Sequence, residues 1–201
     1  MRARLALDAS GQACELREIA LRQKPPEMLQ ASPKGTVPIL VVADGEVIDE
    51  SLGIMLWALQ RNDPEQWLAP DADSLQGMLA LIGRFDSHFK QHLDRYKYPG
   101  RFDGADSLAS RTEACLDLEL LENRLTRNAH LAGEGVSLAD MAIAPFVRQF
   151  ANVDAVWFAS QSWITVQRWL TTIVASERFE RIMRQVPVWL PGTPGVTLPD
   201  P

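Results

Sequence analysis

The stretch Lys34-Gly35-Thr36-Val37-Pro38-Ile39-Leu40, with Asp49-Glu50-Ser51 one short hairpin later, decides the fold. Residues 37–43 are almost all apolar and predict a strand, and Asp44-Gly45 predicts a tight turn into a partner strand. Proline at the head of a strand donates no ladder hydrogen bond, so the residue before it keeps backbone groups free for an extended ligand. Serine at a helix start exposes backbone N–H groups and the positive end of the helix dipole. The stretch therefore predicts a site for a small peptide with a free carboxylate.

Composition limits the kind of protein and its partners. The 201 residues are enough for one or two domains with a sizeable core. A net charge of −6 and a pI near 5.1 argue against nucleic-acid or anionic-membrane partners. The sequence contains no run near the roughly 18 consecutive apolar residues of a membrane span. Its two cysteines are too few for a disulfide framework or a zinc site, so we expect reduced thiols in a cytoplasmic protein.

The apolar pattern changes part-way along the chain and predicts two domains. Residues 1–61 mix short helices and strands and predict a small α/β domain, incomplete at its N-terminus. Residues 62–73 hold two prolines and four acids and predict a linker. In residues 74–201 apolar side chains recur at three- and four-residue steps, which predicts an all-helical domain. The tail from Pro187 onward is rich in proline and glycine and predicts extended surface chain.

Two further patterns in the helical part have structural explanations. Ser137 and Asp140 are spaced as a capping box that starts a helix, so we expect a structural role for this acid. His88 and His92 are four residues apart on one helix, with Asp86 nearby, a spacing that can bind a metal. Because the histidines flank the apolar stripe without an obvious further ligand, we expect a solvated face and no metal ligands.

The start of the sequence predicts missing structure. The first helix begins at the first residue, so nothing precedes its orphan N–H groups. The strand expected from Cys14 lacks an obvious parallel neighbour, because the hairpin strands pair with each other. We therefore expect either reduced stability or a gap between this first strand and the hairpin.

These residues together resemble the glutathione transferase family, closest to its bacterial, omega-like members. The likeness covers nearly the whole chain, and Val-Pro followed at this distance by Glu-Ser is its most specific part. The matching segments are Arg2-Ala3-Arg4-Leu5-Ala6-Leu7, Lys24-Pro25, Ser32 to Leu40, Ile48-Asp49-Glu50-Ser51 and the Ser137–Asp140 box.

The resemblance implies a thioredoxin-like N-terminal domain, an all-α C-terminal bundle, and a homodimer that binds glutathione as substrate. It implies a cis Val37–Pro38 bond, with the Val37 backbone pairing to the cysteinyl part of glutathione. Glu50 would meet the γ-glutamyl ammonium, and Ser51 with the helix N-terminus would meet the carboxylate. Lys24 matches a family lysine near the glycyl carboxylate, although a solvated lysine there is an equal alternative.

The resemblance also implies a nucleophile that this sequence lacks. In the family, a Cys-Pro-x-Cys, Ser-Pro-x-Cys or related motif comes just before the position of Met1. We therefore assign no catalytic residue. Cys14 is expected on a strand as a small core residue, because reactive thiols favour helix N-termini and electropositive surroundings. Either the start is misplaced, which we favour, or the protein is shortened and the fold is completed by other means.

Two functions follow from the resemblance. The first is an enzyme that conjugates glutathione to a small electrophile, or uses it to reduce an electrophilic or disulfide substrate. The alternative is a non-catalytic module of the same fold that binds glutathione or a protein and lacks the nucleophile. The tyrosines Tyr96 and Tyr98 fall where the family places its second-substrate pocket, with packing at a helix end as the other explanation. The second substrate itself cannot be deduced from the sequence.

Overall fold

The computed structural model describes residues 1–199, which form two compact units. The first unit contains Met1–Glu65 together with the described residues from Glu177 onward, and the second contains Gln66–Ser176. Short strands occur only in the first unit among these residues, and the second is helical. The predicted order of an α/β part and an all-helical part is therefore confirmed, but residues after Glu177 pack with the first unit.

The elements are numbered in chain order. The first unit contains α1 (Arg2–Ser10), β1 (Cys14–Leu16), α2 (Pro26–Ala31), β2 (Leu40–Val41), β3 (Val47–Ile48), α3 (Ser51–Arg61), α10 (Glu177–Met183) and β4 (Val196–Leu198). The second contains α4 (Leu75–Arg84), a π-helical turn (Phe85–Phe89), α5 (Lys90–Lys97), a 3-10 turn (Pro99–Arg101), α6 (Ser107–Leu125), α7 (Leu138–Ala151), α8 (Ala155–Ala159) and α9 (Ile164–Val174).

Helices α1 and α3 form the core of the first unit. Helix α1 is rich in alanine and leucine, which favour helix, and it ends at Gly11, whose φ of 65° is the left-handed cap expected from the sequence. Its buried side chains, including Leu5 and Ala6, belong to the face that packs against α3. Helix α3 contributes Ile54 and Met55, which are also fully enclosed. This packing fixes where α3 begins, and so fixes one side of the predicted peptide site.

The strands form two separate two-stranded antiparallel sheets among the described residues. Strand β2 pairs with β3, with Leu40 opposite Ile48. Strand β1 pairs instead with β4, with Cys14 opposite Leu198. Strand β1 and the hairpin thus lie in different sheets, as the predicted gap between them requires.

The C-terminal tail is not the simple surface chain expected from its composition. Beyond the β4 pairing, the Trp189 N–H donates to the Glu18 carbonyl at 2.7 Å, and the Gly195 N–H donates to the Glu15 carboxylate at 2.8 Å. A Cβ at Gly195 would lie only 2.5 Å from the Leu16 carbonyl oxygen, so glycine is required at this close approach. The tail therefore occupies one edge of β1.

In the second unit, the long amphipathic helix expected after the linker is present. It runs as α4, the π turn and α5, with Met78, Ile82 and Phe89 fully buried on one stripe. The π turn was not predicted. An aromatic cluster surrounds Phe150 of α7, whose ring centroid lies 5.6 Å from that of Phe89 and 5.2 Å from that of Tyr96. Tyr96 is thus a packing residue of this core.

The predicted capping box at the start of α7 is confirmed. The Asp140 side chain is completely buried and accepts from the N–H groups of Ser137 and Leu131, each at 2.9 Å. It also accepts from the Trp169 indole N–H at 2.7 Å. This carboxylate therefore ties α7 to α9 as well as capping a helix. Within residues 1–199, every helix is either too short or too polar to cross a bilayer.

Candidate functional site

The hairpin brings the two halves of the predicted peptide site to one end of the β2–β3 sheet. Leu40 lies opposite Ile48, and Val41 lies opposite Val47. Continuing this antiparallel register two residues outward from the first pair places Pro38 opposite Glu50. The segment before β2 and the start of α3 are therefore neighbours because of the hairpin register.

The Val37–Pro38 peptide bond is cis, which confirms the expectation from the resemblance. The Val37 side chain is 47% exposed, and Pro38 is half-buried. Within the described residues, the backbone N–H and carbonyl of Val37 have no hydrogen-bond partner. They are free to pair with an extended ligand, as a strand-addition site requires.

Helix α3 begins with free backbone donors. Its N-cap residue Glu50 has extended backbone angles and makes no capping side-chain bond. The first helical hydrogen bond runs from the Ile54 N–H to the Glu50 carbonyl at 3.0 Å, so the N–H groups before Ile54 have no partner inside the helix. Ser51 is half-buried and Glu50 is exposed. The helix start thus offers N–H groups, a hydroxyl and one carboxylate to a ligand.

An ion pair joins the two sides of this site. The Lys34 ammonium lies 2.8 Å from the Asp49 carboxylate, and the hydrogen bond from this ammonium raises the pKa of Lys34. No pattern in the sequence marks either residue as a site residue, although both belong to segments that match the family. The pair connects the loop before the cis bond to the segment that leads into α3.

Lys24 lies against the same loop. A Cβ built at Gly35 would be 3.5 Å from the Lys24 ammonium nitrogen and 3.2 Å from a methyl of Leu29. Gly35 has a φ of 59°, which glycine adopts without strain, so this position needs glycine for both conformation and space. Lys24 is exposed, and its ammonium has no ion-pair partner among residues 1–199. The Lys24 ammonium is therefore available to a carboxylate of a ligand near this loop, in addition to any anion at the start of α3.

Neither cysteine has the surroundings of a nucleophile. Burial raises the pKa of the Cys14 thiol, with a smaller opposing effect from Arg4. Burial likewise raises the pKa of Cys115 to about 11. Both groups are therefore neutral thiols at pH 7, whereas the thiolate is the reactive form. Cys14 lies on strand β1, as expected from the sequence.

The two histidines that were expected on a solvated face meet a third potential ligand. Atoms of His88, His92 and Glu113 lie within 4.8 Å of one another in the second unit. Glu113 comes from α6, a different helix, so spacing along the sequence could not connect it with the histidines.

Family models match most of the chain in two parts. Residues 1–66 match the N-terminal domain of glutathione S-transferase, and residues 83–177 match its C-terminal domain. The chain belongs to the glutathione S-transferase family. Its fold class is therefore the one expected from the resemblance, a thioredoxin-like N-terminal domain followed by a helical C-terminal domain.

Individual relatives are distant. The glutathione S-transferase stcT of Emericella nidulans is 25% identical over 150 residues, covering 73% of this chain and 66% of that protein. A probable elongation factor 1-gamma of Arabidopsis thaliana is 26% identical over 184 residues, covering 84% of this chain and 42% of that protein. The chain thus spans less than two thirds of the length of either relative.

A solved structure gives the same fold. The sphingomonad glutathione S-transferase in complex with glutathione superposes with a TM-score of 0.74 at 22% identity, covering 90% of this chain and 91% of that one. At this level of identity the likeness establishes the fold of this glutathione S-transferase family member.

Proposed function

We propose that this protein binds glutathione at the end of the β2–β3 hairpin. The observation that carries the proposal is the pairing of β2 with β3, whose register, extended two residues outward, sets Pro38, after a cis bond, opposite Glu50 at the uncapped start of α3. Binding of the tripeptide requires three kinds of protein group: backbone groups free to pair with it as a strand would, a site for an anion, and a partner for an ammonium. All three occur together here.

Each part of glutathione has a partner in this arrangement. The free N–H and carbonyl of Val37 pair with the cysteinyl backbone, with Pro38 setting the approach of the strand. The α-carboxylate of the γ-glutamyl group accepts from the Ser51 hydroxyl and the first N–H groups of α3, and its ammonium pairs with Glu50. Lys24, beside Gly35, pairs with the glycyl carboxylate.

The enzymatic form of the proposal is a transferase that uses glutathione against a small electrophilic or disulfide substrate. That chemistry requires the sulfur of glutathione as a thiolate, which a helix N-terminus or a neighbouring donor can stabilise. The residues assigned here hold and orient the tripeptide, and none is assigned as the group that activates the sulfur. The same resemblance supports a cytoplasmic homodimer, and the net charge of −6 disfavours nucleic-acid and membrane partners.

A non-catalytic glutathione- or protein-binding module is the second candidate. It is favoured by the raised pKa values of both cysteines, since neither thiol can serve as a ready nucleophile. The likeness to the elongation factor 1-gamma protein also shows that this sequence pattern occurs in proteins not named as transferases. The two candidates share the peptide site and differ in whether a bound glutathione reacts.

Retention on immobilised glutathione tests the site. The wild-type chain should be retained and eluted by free glutathione, whereas the Glu50→Ala/Ser51→Ala variant should pass through. Glu46→Ala is the matched control, because it removes an exposed carboxylate from the same hairpin at its turn end. Equal retention of wild type and double variant contradicts the site. Turnover of a chromogenic electrophile with glutathione then separates the enzyme from the binding module.

A further inference from the structure

Two histidines and a glutamate converge between packed helices of the second unit. One ligand atom each from His88, His92 and Glu113 lies within 4.8 Å of the others, and the two imidazole centroids are 4.7 Å apart. His88 belongs to the π turn, His92 to α5, and Glu113 to α6, which packs along α5. π-Helical turns occur frequently at functional sites, where they change which side chains share a face.

A buried carboxylate orients the first histidine. The Nδ1 atom of His88 lies 2.7 Å from the Asp117 carboxylate, and the Asp117 side chain has no exposed surface. Asp117 also accepts a hydrogen bond from the Arg84 guanidinium, so the acid is held in place. When the Nδ1–H of His88 donates to this carboxylate, the Nε2 lone pair is free to bind a cation. Metal-ligating histidines in proteins are commonly fixed by such a carboxylate.

The second histidine contains an unexplained polar atom. The Nδ1 of His92 is buried and has no hydrogen-bond partner among the described residues. Buried ring nitrogens normally have a partner, so an unpaired one in a native fold requires an explanation. A cation bound at the Nδ1 of His92 and shared with His88 and Glu113 would give this buried atom the partner that it lacks.

The cluster is open to solvent on one side. His92 and Glu113 lie in the wall of a cavity of about 610 Å³. Another cavity, of about 490 Å³, is lined by neither of them. Arg95 and Asp106 also line the larger cavity. The charges of Arg95 and of Arg101, which also lines the cavity, oppose a bound cation, whereas those of Asp103 and Asp106 favour one. The cavity gives an ion a path to the cluster and leaves room for a water or a small anion beside it.

We propose that His88, His92 and Glu113 form a binding site for Zn²⁺, with Asp117 as a positioning residue. Two imidazoles and one carboxylate are the donor set of open zinc sites, and imidazole disfavours Mg²⁺. Ligand atoms around a tetrahedral zinc lie roughly 3.4 Å apart, so side-chain rotations that move the ligand atoms by about 1 Å bring the three to this separation. The site lies in the second unit and does not depend on glutathione binding.

Metal binding by the full chain tests this proposal. After dialysis against a chelator, Zn²⁺ titration followed by calorimetry should give one site per chain, unaffected by excess Mg²⁺. His92→Gln and Glu113→Gln should each weaken Zn²⁺ binding at least tenfold. Glu119→Gln is the matched control, since it removes an exposed carboxylate from the same helix, and it should bind Zn²⁺ like the wild type. Absence of binding, or unchanged affinity in either ligand variant, overturns the site.

A second measurement distinguishes a lost ligand from a lost fold. Glu113 is exposed, so its replacement by glutamine should leave the Tm of the metal-free chain unchanged. Zn²⁺ should then raise the Tm of wild type and of Glu119→Gln by the same amount and that of Glu113→Gln by less, because stabilisation of the native state falls as its affinity for the ion falls. An equal rise in Tm for all three proteins shows binding elsewhere and contradicts the assignment.

Discussion

The Lys34 ammonium lies 2.8 Å from the Asp49 carboxylate and joins the loop before the cis bond to the segment before α3. Neither residue is assigned a direct contact with the γ-glutamyl group. The ion pair connects the two segments on either side of the peptide site and limits how far they can separate. Its contribution should therefore appear in ligand affinity more than in stability.

Replacement of Asp49 by asparagine should lower glutathione affinity about threefold while leaving the free energy of unfolding nearly unchanged. The stability change is small because the Lys34 side chain is 62% exposed, and exposed ion pairs contribute little. Calorimetric titration with glutathione and urea unfolding give the two values. Glu46→Gln on the same hairpin serves as control. Unchanged affinity in Asp49→Asn would show that the pair has no role in the site.

Asp140→Ala should destabilise the protein by about 3 kcal/mol or more, because it leaves buried N–H groups without their acceptor. Four donors lose their partner: the N–H groups of Ser137 and Leu131, the Ser137 hydroxyl and the Trp169 indole. Asp154→Ala is the comparison, since Asp154 caps the short α8 with a single bond to the Trp157 N–H and should cost only about 1 kcal/mol. Urea unfolding measures both. Similar losses in the two variants would contradict the buried network.

Asp8 should make stability depend on pH in the acid range. Burial alone would raise the pKa of Asp8, but hydrogen bonds from Arg181 and Arg178 outweigh it and lower this pKa below its ordinary 3.8. A lowered folded-state pKa means that the stabilisation is complete above the unfolded value and disappears as pH falls through the folded one. Asp8→Asn should therefore cost about 2 kcal/mol at pH 7, since both guanidiniums are partly exposed.

The difference in unfolding free energy between wild type and Asp8→Asn should shrink as pH falls from 5 toward 2. Urea unfolding across this range measures it, with the exposed Glu46→Gln as control. A difference that stays constant with pH would show that the carboxylate charge is not what holds α10 against α1.

Gly195→Ala should release the tail strand from β1. The added methyl would lie 2.5 Å from the Leu16 carbonyl and 2.8 Å from the Glu15 side chain, so β4 must shift. Hydrogen–deuterium exchange at Glu15 and in β4 should then become at least tenfold faster. Gly83→Ala is the control, because a Cβ there meets nothing within 4 Å and should leave these amides unchanged. Equal protection in wild type and Gly195→Ala would place the tail elsewhere.

The parts of the fold that the sequence predicted are local ones. The Asp44-Gly45 turn and the Ser137 capping box each depend on residues close together in the chain, whereas the cis Val37–Pro38 bond was expected only from the family resemblance. Amphipathic periodicity likewise predicted α4 to α5 without knowledge of their neighbours. Short-range chemistry was therefore enough to locate the candidate peptide site, although which residues bind the ligand stays a prediction.

What the sequence did not predict depends on contacts between distant segments. The proline-rich tail has no alternating pattern, so only its pairing with β1 defines β4 as a strand. The π turn preserves the apolar stripe while moving His88 toward Asp117, and Glu113 reaches the cluster from another helix. The Lys34–Asp49 ion pair forms only after β2 and β3 have paired in their native register, because that register brings the two segments together.

The partnership of β1 with β4 has a consequence for biosynthesis. A ribosome makes β1 before the helical unit and β4 after it, and domains often begin to fold while the remainder is still being made. Here α1 and β1 must wait, after emerging from the exit tunnel, for α10 and the tail that complete their surroundings. The intervening helical unit is translated in full during that delay, so the edge of nascent β1 that β4 covers in the native fold stays open until then.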